Sequence, residues 1–278
     1  MTHSALKQKL PRAGELFSAT RDSVTTFNLP ENLRGYSVLD PGAVLDAKIQ
    51  DDIYSVLVPI TTSSFGADMT PYWSQRRQQG YFRRLTEFIF IADQEDQIVG
   101  WTGYYVLKCE GYQNIYIDSS GMIPSRQSRG IMRAVWAERL VKDAFSRSDR
   151  TGRLYVSARS ESPILYKLLC GLVGQDSVYP NVGGSMPDHI LRCGADLAAW
   201  LDQSALLERQ RLIIRGAYAN LDALYDELPS TGDPILDRLF REELGPLDAY
   251  LLVGEVSSPG KHVLTGEKHL ERGSIASP

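Results

Sequence analysis

Between Asp118 and Ile131 the chain passes from a strand pattern to a helix pattern through a polar connection, Ser125-Arg126-Gln127-Ser128-Arg129-Gly130. A Gly-bearing turn that opens a helix presents backbone amides with no carbonyl partner, together with the positive end of the helix dipole. Both favour an anion, above all a phosphate. Arg126 and Arg129 would neutralise phosphate oxygens there, or else sit in solvent. Side chains able to move protons are scattered. Asp118 lies on the strand leading into the turn, Glu87 and Glu110 are the other acidic groups in this part of the chain, and Tyr166 falls in a later helix. Other chemistries find little support. His3, His189, His262 and His269 show no pairing at metal-ligand spacing, so no metal site is expected. There is no G-x-S-x-G elbow, and no G-x-G-x-x-G follows a strand. The stretch Gly254 to Lys261 only superficially suggests a nucleotide loop, because Pro259 and His262 stand where Gly and Ser/Thr are needed.

The elements that position these residues are read from periodicity. Tyr36–Leu39 forms a strand, and residues 43–57 a helix with Val44, Leu45, Ile49, Ile53, Val56 and Leu57 on one side. Pro59 to Pro71 reads as a loop. Residues 73–85 read as a polar helix whose Arg76, Arg77, Arg83 and Arg84 make a solvated face. Residues 88–92 and 98–107 make a hairpin, and 113–123 add a third antiparallel strand. The helix after the polar turn buries Ile131, Val135, Trp136, Leu140, Val141, Ala144 and Phe145, with Glu138, Arg139, Lys142, Asp143 and Arg147 opposite. Leu154–Ala158 is a further strand, so strand, helix and strand imply a right-handed parallel crossover. Ser162 then caps a helix with Pro163 at its first position. After Gly174 come a loop at 178–184, a helix at 195–209, a strand at 212–218, a helix at 234–243 and a strand at 250–254.

Composition sets the class. A chain of 278 residues, 43% hydrophobic and 23% charged, builds an ordinary core as one large domain or two small ones. A net charge of -4 without a basic block argues against nucleic acid. No apolar run reaches the roughly 18–20 residues of a membrane span, and the first residues lack the apolar core of a signal peptide. Cys109, Cys170 and Cys193 are widely spaced and odd in number, and read as reduced, mostly buried thiols of a cytoplasmic protein. Residues 1–34 carry little pattern and are expected to drape over the domain or be partly disordered. Residues 35–256 form the domain, elaborated over 175–256, and 257–278 a disordered tail.

Gln127-Ser128-Arg129-Gly130-Ile131-Met132 resembles the Q/R-x-x-G-x-G/A signature of the GNAT superfamily of acyl-CoA-dependent N-acyltransferases. Met122-Ile123-Pro124 looks like the V-x-P that ends the fourth strand of that family. Ser162 to Leu169 is similar to the family's segment with Asn before a helix and Tyr inside it, with Ser162 at the Asn position and Tyr166 at the Tyr position. The element order agrees over about 35–175. The resemblance implies an α+β fold with a mixed central sheet flanked by helices, antiparallel in its first half and parallel around the helix that binds coenzyme A. It implies transfer of an acetyl or other short acyl group from acyl-CoA to a small-molecule or peptide amine by direct attack. Gln127, Ser128, Arg129, Gly130, Ile131 and Met132 would hold the pyrophosphate, with Ser162 nearby. Backbone groups at Met122, Ile123 and Pro124 would pair with the pantetheine arm. Tyr166 would protonate the leaving thiolate, and Asp118 would be the general base, with Glu87 and Glu110 as fallbacks. Met132 stands where the family usually has Gly or Ala, so it either crowds the pyrophosphate or points into the core. Two rivals remain at this level: decarboxylation or transfer to a thiol carrier, and a non-catalytic binding module. Helices inserted after Gly174 are expected to wall the acceptor side.

Overall fold

The computed structural model describes residues 11–141, 152–181 and 184–256. In chain order its strands are β1 (Val24–Leu29), β2 (Leu33–Leu39), β3 (Glu87–Ala92), β4 (Ile98–Cys109), β5 (Tyr112–Met122), β6 (Arg153–Ser160), β7 (Val178–Tyr179), β8 (Leu207–Glu208), β9 (Ile213–Ile214) and β10 (Ala249–Val256). They form one sheet in the order β1-β2-β3-β4-β5-β6-β10-β9-β8, with β7 also on β10. The pairing of β5 with β6 is parallel, Tyr112–Ile117 beside Arg153–Ala158, whereas the others are antiparallel. A parallel pair requires a crossover connection, and this one leaves β5 through the polar turn.

The helices are α1 (Ala13–Leu16), α2 (Pro41–Val44), α3 (Ala47–Phe65), α4 (Thr70–Gln78), α5 (Tyr81–Arg84), α6 (Ile131–Val135), α7 (Pro163–Val173), α8 (Asp188–Trp200) and α9 (Pro234–Glu243). A π-helical turn, Trp136–Val141, continues α6. Both faces of the sheet are covered, which is why β3 is buried along its whole length. Alternation sends Phe88 and Phe90 to the layer holding Ile53 of α3, Trp73 of α4, Phe82 of α5 and Leu197 of α8. Ile89 and Ile91 go to the opposite layer with Val135 of α6, Leu169 of α7 and Phe240 of α9. Each such side chain contributes at about 25 cal/mol per Å² of apolar surface removed from water.

Several elements depart from the sequence reading. Residues 11–34 are neither draped nor patternless, since they supply α1, β1 and the start of β2, with β1 paired to β2 along six residues. The strand β1, VTTFNL, is largely exposed and does not alternate, so it carried too weak a pattern to signal itself. Helix α3 continues through Pro59 to Phe65, because burial of Ile60 and Thr61 prolongs the packed face and outweighs the lost amide bond and ring clash of the proline. The expected helix over 73–85 is broken at Gly80, whose φ of +66° is left-handed. The helix expected at 195–209 lies at 188–200, following the buried face of Ile190, Leu191, Cys193, Leu197 and Ala198. Of the strand expected at 212–218, only Ile213–Ile214 pairs. Residues 142–151 and the tail from 257 lie outside the described residues. The three cysteines are free thiols, Cys193 buried and the other two half-buried.

Candidate active site

The ladder between β5 and β6 ends at Ile117 and Ala158. Immediately beyond it, Gly103 of β4 opposes Ser119 while Tyr104 opposes Ile117, so Asp118 is an extra residue in the β4–β5 ladder. A bulge of this kind bends the strand and re-aims the side chain it carries. From this point Asp118–Met122 on one strand, and Arg159, Ser160 and Ser162 at the end of the other, line a cleft of about 300 Å³ that reaches the polar turn at Ser128–Met132.

The turn opens α6 through left-handed backbone. Ser128 and Gly130 have left-handed φ of +61° and +73°, and no side chain caps the helix that follows. Its first intrahelical bond runs from the Ala134 amide to the Gly130 carbonyl, which leaves the amides of Ile131, Met132 and Arg133 without helical partners. The Met132 side chain is buried with Ile131 and Val135, so it takes the core direction of the two expected while its backbone stays in the turn. Gln127 braces the turn, its Nε2 donating to the Met122 carbonyl at 2.8 Å, which also accepts from Ser64 Oγ at 2.8 Å. The Ile123 amide donates to the Val99 carbonyl at 2.9 Å. Those groups at Met122 and Ile123 are thus bonded within the protein, and neither Ile123 nor Pro124 lines the cleft. Arg126 and Arg129 do line it, and both reach Glu31 in the β1–β2 turn, at 3.7 and 3.1 Å.

A second cavity of about 600 Å³ lies beyond, walled by Trp200–Gln203, Leu206 and 216–221 from the part of the chain after Gly174. Tyr72, Arg76, Asp118, Arg159 and Tyr218 line both cavities and form their junction. Arg76, read from the sequence as part of a solvated face, is here 13% exposed. Its Nη1 lies 2.9 Å from Asp118 Oδ1 and 2.8 Å from Oδ2, but its hydrogen is directed at Oδ1. Oδ2 is therefore in charge contact without a hydrogen bond. The Arg159 guanidinium lies 4.7 Å over the Tyr218 ring, and its Nη1 donates to Gln203 Oε1 at 2.6 Å. Periodicity did not mark these two arginines. The only available signal for Arg159 was a charge at the end of an otherwise apolar central strand.

The remaining candidates lie elsewhere. Tyr166 is buried edge-on against Phe240 at 6.1 Å and does not line either cavity. Burial, then Cys170, pushes its phenol above the ordinary range. Ser162 caps α7 by accepting from the Ile164 amide at 3.3 Å, and lines the first cavity. Glu87 is fully buried outside both cavities; it accepts from Ser37 and Tyr104 and pairs with Arg139 at 2.9 Å. Arg139 thus points inward, not to the solvent side expected of it. Glu110 is exposed in the β4–β5 turn.

Burial also raises the phenols at the junction, Tyr218 to about 12. One carboxyl missed by the sequence reading lies between the cleft residues Ser160 and Ser162. Desolvation, reinforced by Asp248, pushes Glu161 up from 4.5 to about 7. The folded protein therefore holds this proton more tightly than the unfolded chain. Its stabilising effect is full below about pH 4.5 and is lost as pH rises through about 7. Glu161→Gln is expected to leave stability unchanged at pH 4 and to raise it by about 1–2 kcal/mol at pH 8, after allowance for solvent screening. Urea unfolding at the two pH values measures this.

Residues 51–167 match the model of the acetyltransferase (GNAT) family. No curated protein matches the chain. Among solved structures, an aminoglycoside acetyltransferase from an uncultured soil metagenomic sample is 21% identical, with 45% of this chain and 78% of that one covered and a TM-score of 0.33. The ribosomal-protein-S18-alanine N-acetyltransferase from Escherichia coli is 11% identical over 82% of this chain and 97% of its own, with a TM-score of 0.41. A GNAT family acetyltransferase from Brucella melitensis, in complex with acetyl-CoA, is 14% identical over 44% and 74%, with a TM-score of 0.30.

Proposed function

We infer, for a chain that belongs to the GNAT superfamily and has its mixed-sheet fold, the transfer of an acetyl or other short acyl group from acyl-CoA to an amine by direct attack. The observation that carries this reading is that two adjacent cavities share lining residues where β5 and β6 part, with the polar turn at the far end of the first. The bound acyl-CoA supplies an activated thioester. The amides of Ile131, Met132 and Arg133 hold its pyrophosphate, and Arg126 and Arg129 offset the phosphate charge. The edge of β5 from Asp118 to Gly121, past the end of the ladder with β6, takes up the pantetheine arm. Asp118, at the junction, accepts the proton of the attacking amine through the oxygen not hydrogen-bonded to Arg76. The departing thiolate is protonated from solvent in the cleft, with Tyr166 kept as a helix-packing residue.

Calorimetric titration with coenzyme A and acetyl-CoA tests the reading, followed by thiol release on adding amines. Micromolar binding supports it; absence of binding overturns it. Glu31 competes with phosphate for the two arginines. Exposed ion pairs are worth about 0.2–1 kcal/mol, so Glu31→Ala is expected to tighten acetyl-CoA by roughly 1.4- to fivefold in the same titration.

A further inference from the structure

The charges at the junction do not balance. Arg76 is matched by Asp118. Arg159 has no carboxylate at ion-pair distance among the described residues; its polar partner Gln203 is neutral, and its Nε is buried without a hydrogen-bond partner. Arg84 and Asp202, both exposed at the rim of the second cavity, contribute one charge of each sign. Tyr105, in the same cavity, also has a buried hydroxyl with no partner. An unmatched buried guanidinium is costly unless a ligand brings the counter-charge, and its planar fork suits a carboxylate.

We propose that the second cavity selects an acceptor amine that also carries a carboxylate, held by Arg159 and the Tyr105 hydroxyl. This rests on the acyl-transfer reading above. The polarity along the cavity then has a direction. Asp118 Oδ2 faces the amine at the junction with the first cavity, and Arg159 takes the carboxylate. Trp200, Leu201 and Leu221 receive an apolar body. A small apolar or aromatic amino acid fits this order. A polyamine does not, because a second ammonium would meet Arg159 with like charge.

The test compares matched pairs: L-phenylalanine with 2-phenylethylamine, and L-leucine with 3-methylbutylamine. Each is titrated into the CoA-loaded protein and assayed for thiol release from acetyl-CoA. The carboxylated member of each pair is expected to be favoured at least about tenfold in Kd and kcat/KM, as for a hydrogen-bonded charge pair. Arg159→Gln should remove that preference, and because Arg159 also lines the first cavity the Kd for acetyl-CoA is measured on the same variant, so that the ratio within each matched pair is read at saturating acetyl-CoA. Equal or better binding of the decarboxylated amines, no binding of either class, or a preference that survives Arg159→Gln would overturn the proposal. So would a selectivity for succinyl-CoA over acetyl-CoA that depends on Arg159, which would place the carboxylate on the acyl group. The unmutated protein decides the matched-pair comparison by itself if the variant does not fold. Failure of acetyl-CoA to bind at all would instead remove the acyl-transfer reading, and this inference with it.

Discussion

Tryptophan at Gly130 is expected to weaken acetyl-CoA binding by about 100-fold or more while the fold persists. Three amides open toward the anion at this turn, and each charge-assisted hydrogen bond is worth about 1.5–3 kcal/mol. Losing two of them to an indole in front of the turn costs about 3 kcal/mol, which is about 100-fold in Kd. The protein itself has room for a side chain there: a Cβ at Gly130 would meet only Arg133 Nη2, at 4.0 Å. What remains is the left-handed φ of +73°. That conformation costs an L-residue roughly 1–2 kcal/mol, a fall in melting temperature of about 2–8 °C for a domain this size. Calorimetry and thermal unfolding of the same preparation separate the two effects. Undiminished binding in a folded variant would move the phosphate site away from this turn.

Glu87→Ala is expected to act in the opposite way, on stability and not on ligand binding. The carboxylate is fully buried, pairs with Arg139 at 2.9 Å, and accepts from the hydroxyls of Ser37 and Tyr104. It therefore ties β2, β3 and β4 to the helical crossover. Breaking one partner of a buried ion pair costs about 3–5 kcal/mol, because the other charge stays desolvated. Urea unfolding should show a loss of that size. Because Glu87 lines neither cavity, the Kd for acetyl-CoA measured below the transition should be unchanged. A loss below about 1 kcal/mol would mean that water replaces the carboxylate.

Local pattern alone determined a good part of this protein. The run from Phe88 to Met122 is legible as three antiparallel strands because period-two alternation and short turns are local signals. Helix α9 and the Ser162 cap of α7 are legible for the same reason, since Asp233 and Ser162 bond amides two or three residues away. The polar turn was legible as a helix start through its glycine and the apolar pattern after it. Tertiary structure decided what the charges do. Periodicity reveals that a helix has a polar side but not what packs against that side. Arg76, Arg77, Arg83 and Arg84 therefore read alike, although only the placement of α4 beside the bulge at Asp118 turns Arg76 into a cavity-lining partner of that carboxylate. Arg139 was set on the wrong side because the buried acceptor it meets, Glu87, lies 52 residues earlier. The junction that pairs Asp118 with Arg76 and leaves Arg159 unmatched joins residues from four separate stretches of chain, including Tyr218 from the elaborated region. Charge matching acts through space at a few ångströms, and only the folded chain sets those distances.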